Sequence, residues 1–391
     1  MHPIRRLALG AFCLISSLLL VSASQAGPKL LVDMQTGDVL YAEDAGAPWH
    51  PASLTKLMTA YVAFEALAEG KITLDSIVTM SANAETQAPA VSGLRVGDTL
   101  TLKDALYVLL VKSANDMAVA VGETVAGSTD AYVAQMNATA QKLGLVRTHY
   151  DNVNGLPDEG QVTTARDLAV LAIDLRRTFP QYDDIFRTRI VTLNKANLRS
   201  DNAMLNSFAG TDGMKTGFVC GSGFNLVATV NRSGRQLLAV VLGGSSGRER
   251  DQMAAQMLLR GFSGELKDGG KSVVDLVDDT TSPPTDMTPL ICGKQARAYI
   301  SAQIKAFPLG LHGQPSYLTD KIVSNVYQAT NLGPVGGPAV ADASAAGQLA
   351  QGDGDAAPPV AVTPVTKKPV APPAPHRRTA HAHHTDRKSV V

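Results

Sequence analysis

The sequence predicts an α/β (α+β) fold, in which an antiparallel sheet is flanked by helices and carries an all-helical subdomain. Three observations predict it. Two short apolar runs, at residues 30–33 and 38–41, read as strands around the turn signal Gln35-Thr36-Gly37. A long middle stretch then shows helical spacing. Finally, residues 225–230 and 237–242 form a second strand pair across the turn at 231–234. Strands at both ends with helices between them imply one sheet assembled from distant parts of the chain.

The first helix opens near Ser53, and Leu57, Ala60, Tyr61, Phe64 and Leu67 give it one apolar stripe. Gly70 stands where a C-cap glycine belongs. A second helix starts at Thr101, with Asp104 in an imperfect capping box, and runs through Leu106, Leu109 and Leu110. Ser113-Ala114-Asn115 interrupts or follows it. Helical patterns resume at 117–125, at 130–143 with Gly144 as the stop, and from Thr164 to about 175. Residues 252–259 have helical spacing and close the domain near Phe262.

Composition places the chain among ordinary globular proteins, and its balance of 35 basic and 35 acidic residues gives no sign of a nucleic-acid partner. Residues 1–26 read as a signal peptide. Arg5 and Arg6 precede an apolar run at 7–21, and Ser24-Gln25-Ala26 places cleavage after Ala26. Loss of the two arginines leaves a net charge of −2. No later stretch is apolar for long enough to span a bilayer, so an exported, periplasmic or extracytoplasmic location is expected. Cys220 and Cys292 are then the two cysteines left in an oxidising space and are expected to form a disulfide, with separate buried thiols as the alternative. One main domain is expected over 27–263, a small appendage over 264–335, and a Pro/Ala-rich basic tail over 336–391. The tail histidines, His376, His381, His383 and His384, read as solvated polar residues, since no rigid site holds them; no metal or other cofactor is expected.

Chemistry concentrates in three short motifs. In Ser53-Leu54-Thr55-Lys56 the serine and lysine are three residues apart, so on a helix they share a face. Lysine can serve as the base for a serine if burial and nearby cations lower its pKa. The helix start also supplies unpaired backbone N–H groups that favour developing negative charge. Ser113-Ala114-Asn115 and Lys215-Thr216-Gly217 follow in that order. Each motif alone has a bland reading as a helix break or turn. Together, in this order, they match the set found in class A β-lactamases and penicillin-binding proteins.

The chain resembles the serine-type D-alanyl-D-alanine carboxypeptidases, the low-molecular-mass penicillin-binding proteins. The resemblance runs from about residue 30 to 262. It includes 33–40, Lys142-Leu143-Gly144-Leu145, Asn154-Gly155-Leu156, Thr164-Ala165-Arg166-Asp167, Asp212-Gly213-Met214-Lys215-Thr216-Gly217 and Asn225-Leu226-Val227-Ala228. It implies a β-lactamase/penicillin-binding-protein-like transpeptidase fold. It also implies removal of the terminal D-alanine from peptidoglycan stem peptides through a serine acyl-enzyme, with β-lactams as covalent inhibitors. By resemblance, Ser53 is the nucleophile and Lys56 the general base. Ser113 relays a proton to the leaving group, and Asn115 holds Lys56 and the substrate amide. Lys215 keeps the site electropositive, Thr216 and Arg248 bind the terminal carboxylate, and the backbone N–H groups of Ser53 and Phe218, after Gly217, hold the oxyanion. The sequence departs from relatives at Asn154, where some have histidine and no catalytic role is assigned here, and at Phe218, where a small or polar residue is common.

Endopeptidase or transpeptidase action on cross-links uses the same residues and stands as the second reading. A class A-like β-lactamase would add a glutamate base for deacylation. No Glu-x-x-Leu-Asn stretch lies between Asn115 and Lys215, and Ala114 replaces the aspartate of that class. A β-lactam sensor without turnover would call for a spanning helix and a cytoplasmic output, neither of which the sequence shows.

Overall fold

The computed structural model describes residues 27–267, 269–307, 315–322 and 325–334. The expected signal segment and the basic tail with its histidines lie outside these residues. Five strands, β1 (Lys29–Asp33), β2 (Val39–Glu43), β3 (Thr211–Val219), β4 (Gly223–Arg232) and β5 (Arg235–Gly244), form one antiparallel sheet in the order β2-β1-β5-β4-β3. The chain turns from β1 to β2 through Gly37, whose φ of +82° suits a residue without a Cβ.

Alternation along the strands sorts side chains onto two faces. Leu30, Val32, Val227, Leu238 and Val240 enter the main core with the helical region. Leu31, Leu226, Ala228, Leu237 and Ala239 pack on the other face, against Ala254 and Leu258. Those two residues belong to the closing helix, Gly247–Phe262.

Helix α1 (Thr55–Ala68) runs through the middle of the domain, in contact with α2 (Asn115–Ala126), α3 (Thr129–Lys142) and α4 (Ala165–Thr178). Its sequence predicts a single apolar stripe, but neighbours enclose it nearly all round, burying Thr55, Lys56 and Thr59 as well. The small residues Ala60 and Ala63 and the tolerated threonines make this enclosure possible. Each fully buried large apolar side chain contributes roughly 1.5–3 kcal/mol. The N-caps follow the sequence signals: Thr164 Oγ1 accepts from Asp167 N–H at 3.0 Å, and Thr101 Oγ1 accepts from Asp104 N–H at 3.1 Å. The helix after Thr101 ends in a π-helical turn, Val108–Lys112, and leaves Ser113 in the left-handed region at φ +64°.

Residues after 263 were expected to form an appendage of their own. Instead, their described parts lace back onto the domain. Asn325–Gln328 adds a parallel strand to Thr188–Leu193, and Gly333–Pro334 pairs with Asp98–Thr101. Val273, Met287 and Ile291 are buried in the main core. Apolar residues this scattered cannot close a separate core, so they bury themselves against the existing one. Among the described residues no helix is long and apolar enough to cross a membrane.

Cys220 and Cys292 are joined by a disulfide with Cα atoms 5.7 Å apart, across a separation of 72 residues. Replacing both by serine should cost about 2–4 kcal/mol, because the open chain regains the entropy of a long loop. A fall in the urea midpoint without loss of the folded spectrum is the expected result; an unchanged midpoint would contradict it.

Candidate active site

The turn before α1 is held by the sheet. Asn225, fully buried on β4, donates from Nδ2 to the carbonyls of His50 at 3.0 Å and Pro51 at 3.3 Å, and its Oδ1 accepts from Gly243 N–H at 3.0 Å. Ala52 sits at φ +49°, a strained value for a residue with a side chain. Two glycines let the backbone close on this turn. A Cβ on Gly155 would lie 1.9 Å from Ala52 O, and one on Gly217 would lie 2.9 Å from Pro51 O and 3.1 Å from Ser53 N. Gly155, at φ +85°, is thus required twice over. Gly155→Ala should cost about 3 kcal/mol or more in stability and displace the turn that carries Ser53. A thermal midpoint within a degree of the wild type would contradict that packing.

Lys56 is fully buried one helical turn after Ser53. Its Nζ lies 2.9 Å from Ser53 Oγ, 2.7 Å from Asn115 Oδ1 and 2.6 Å from the Asn154 carbonyl. Burial is the main force pushing its pKa well below the usual lysine value; the nearby Lys215 charge adds to this and Asp116 partly opposes it. A neutral amine has two N–H bonds and one lone pair. Asn115 Oδ1 and the Asn154 carbonyl accept the two N–H bonds, so the lone pair is left for the proton of the Ser53 hydroxyl. Asp116 is itself held by Ser92, whose N–H and hydroxyl both donate to Oδ2.

Lys215 lies on β3, also buried, and donates to the Thr216 carbonyl at 2.8 Å. Burial brings its pKa down to about 7, with Asp201 opposing the shift and Arg250 adding to it. Thr216 is buried next to it, and the hydroxyl of Ser113, a residue 8% exposed, makes no hydrogen bond to the described residues. Phe218 is 45% exposed and tilts against Phe224 with ring centroids 4.3 Å apart. It shares with Ser53 and Asn115 the lining of a cavity of about 580 Å³.

The guanidinium that perturbs Lys215 belongs to Arg250, not to Arg248. Arg250 is buried and committed: it binds Asp251 Oδ1 at 2.8 Å and donates to the carbonyls of Asn225 at 3.4 Å and Asp201 at 3.3 Å. Arg248, two residues earlier on the first turn of the closing helix, is exposed, and its guanidinium makes no hydrogen bond or ion pair to the described residues. Among those residues no group of three His, Cys, Asp or Glu side chains is placed to hold a metal.

Three contributors escaped the sequence reading. Asn154 acts through its backbone carbonyl, which no side-chain motif reports, while its own amide turns to Gln87 Oε1. Arg250 sits beside a plausible arginine in a helix start. Asn225 could have been noticed as the one amide opening an otherwise apolar buried strand.

A family model described as D-alanyl-D-alanine carboxypeptidase matches residues 19–246. The chain is 38% identical over 240 residues to D-alanyl-D-alanine carboxypeptidase DacC of Escherichia coli, a match covering 60% of each. It spans about 60% of the length of the curated relatives it matches. Among solved structures it is similar to penicillin binding protein 6B from Escherichia coli, with TM-score 0.58 and 36% identity over 61% of this chain and 77% of that one. It is also similar to penicillin-binding protein D2 from Listeria monocytogenes in its cefotaxime-bound form, with TM-score 0.56 and 29% identity over 61% of this chain and 97% of that one. With more than half of its residues covered by one family model and the same fold as its solved relatives, the chain belongs to the D-alanyl-D-alanine carboxypeptidase family.

Proposed function

We propose that this chain is an exported serine-type D-alanyl-D-alanine carboxypeptidase of peptidoglycan stem peptides, with its catalytic domain over 27–263. One observation carries the reading: the buried Lys56 amine, 2.9 Å from Ser53 Oγ, has its two other contacts taken by acceptors. In this reading Lys56 Nζ takes the Ser53 proton as Oγ attacks the carbonyl between the two D-alanines. The oxyanion forms between the backbone N–H groups of Ser53 and Phe218, each such donor being worth about 3 kcal/mol. As the C–N bond breaks, the Ser113 hydroxyl hands its proton to the departing D-alanine amine and takes in exchange the one that Lys56 received from Ser53. Lys215, Thr216 and the uncommitted guanidinium of Arg248 receive the terminal carboxylate, while Arg250 fixes the strand and helix behind them. Water then attacks the acyl-enzyme carbonyl, its proton passing by way of the neutral Lys56 amine to Ser53 Oγ as the ester C–O bond breaks, which releases the shortened peptide and restores Ser53. A β-lactam enters the same first step and leaves a slower ester.

The test is release of free D-alanine from a stem peptide ending in D-Ala-D-Ala, with Ser53→Ala as control. Release by the wild type alone supports the reading, and none from either overturns it. Transfer of the acyl group to an added amine, in place of water, would point to the transpeptidase alternative.

A further inference from the structure

We propose that Met287 and Cys292, through the Cys220–Cys292 disulfide, are positioning residues that aim the Phe218 backbone N–H for the reaction. The segment after residue 263 then serves catalysis as well as the fold. The inference rests on the carboxypeptidase reading above, in which that N–H is one of the two oxyanion donors.

An oxyanion donor helps only if its direction is fixed before charge develops. The Ser53 N–H follows the turn that Asn225 holds. Phe218 is held less firmly by the sheet. It stands on β3, at the sheet edge, where β4 is the one ladder partner among the described residues. Only Val219 follows it before the strand ends, and the chain turns back through Cys220, Gly221 and Ser222 into Gly223. The end of an edge strand is where a sheet frays most readily. The donor therefore sits where the ladder holds the chain least.

Each of the three turn residues is instead held from outside the hairpin. Cys220 is bonded to Cys292, the Gly221 carbonyl accepts from Met287 N–H at 2.9 Å, and the Ser222 carbonyl accepts from Trp49 Nε1 at 2.9 Å. The buried Met287 side chain also covers the turn, its Sδ lying 3.0 Å from where a Cβ on Gly223 would stand and 3.2 Å from one on Gly243. Met287 and Cys292 lie beyond the stretch that matches the family, residues 19–246. A brace positions its target only if its own ends are fixed. Upstream, the buried Asp278 accepts from the Thr164 hydroxyl at 2.7 Å, Asp279 N–H donates to the Gly46 carbonyl at 2.8 Å, and Arg147 Nη2 donates to the Ser282 carbonyl at 2.9 Å. Between the two braces, the helical turn Thr288–Ile291 ties Ile291 N–H to the Met287 carbonyl at 2.9 Å and Cys292 N–H to the Thr288 carbonyl at 3.0 Å, with Ile291 buried in the main core. Opening the disulfide removes one of three holds, so the Phe218 donor should be displaced and not lost.

The experiment compares the oxidised wild type with the Cys220→Ser/Cys292→Ser variant at a temperature where circular dichroism shows both folded. It reads kcat and KM for D-alanine release from a peptide ending in D-Ala-D-Ala, and the Ki of a peptide boronic acid. Ser53 Oγ adds to the boron without displacing a group, which presents a tetrahedral oxygen to the two donors. Removing such a donor costs about 10²–10³-fold in kcat, so displacing one should cost about tenfold. The Ki should rise by a similar factor, while KM changes by less than about twofold. Should the variant not fold, the wild type is reduced with a water-soluble phosphine, which takes oxygen from water to become its oxide while the two sulfurs take up the protons. The same losses are expected, and reoxidation should restore both values. A disulfide that only stabilises the fold would lower the urea midpoint and leave kcat and Ki as in the wild type. That result, or a fall in kcat with Ki unchanged, overturns the proposal and leaves the carboxypeptidase reading intact. No D-alanine from the wild type overturns that reading, and this inference with it.

Discussion

Lys56→Met is expected to slow acylation of Ser53 by about 10²–10⁴-fold, the range in which a positioned general base contributes. The site explains why so much should be lost. Among the described residues no other amine or imidazole lies within hydrogen-bonding distance of Ser53 Oγ, and the two remaining contacts of Lys56 are acceptors that cannot take a proton. The substitution should also change how stability depends on pH, in a fixed direction. The folded-state pKa of Lys56 lies below its unfolded value, so between the two the unfolded chain holds more protons and wild-type stability rises with pH. The cost of burying this lysine is fully present below the folded pKa and disappears as pH approaches the unfolded value near 10.5. Stability of Lys56→Met relative to wild type should therefore be highest in acid and decline toward pH 10. Denaturant midpoints across that range measure it, and a relative stability that increased with pH would be inconsistent with a depressed lysine.

Lys215→Met should lower kcat/KM for carboxylate-ended peptides by about 10–100-fold, since a hydrogen bond to a charged group is worth roughly 1.5–3 kcal/mol. Its effect on the pH profile is more diagnostic. With a pKa of about 7, Lys215 loses its charge in the neutral range. The wild-type profile of kcat/KM should rise as Lys56 becomes neutral and fall above about pH 7 as Lys215 does. In Lys215→Met the falling limb should disappear. The rising limb should move to higher pH, because the cation that helps keep Lys56 neutral is gone. A wild-type profile still climbing at pH 9 would show that Lys215 does not titrate where its burial places it.

The sheet and its flanking helices were legible because their signals are local. Alternation at 225–242, the cap at Thr164 and the stop at Gly144 each state their structure within a few residues. The three motifs were legible for the same reason, and the domain brings Ser53, Lys56 and Asn115 within hydrogen-bonding reach. What sequence reading missed acts through backbone or long-range packing. The Asn154 carbonyl and the close approach of Gly155 to Ala52 leave no pattern in a linear chain, and Asn225, conspicuous as an amide in an apolar strand, does not show there that it holds the turn before Ser53. The segment after 263 was misread as separate because its few apolar residues reveal their destination only once the core is assembled. Arg248 and Arg250 show the limit most sharply. Two arginines two positions apart on one helix start cannot be told apart by spacing, yet one is buried and fully bonded while the other is exposed and uncommitted.

Brief exposure of the protein to penicillin, followed by intact-mass measurement and peptide mapping, shows whether Ser53 is the activated nucleophile. A single adduct is expected on the peptide containing Ser53, absent in Ser53→Ala and formed far more slowly in Lys56→Met. An adduct on another residue, or one that persists in Ser53→Ala, would rule that role out.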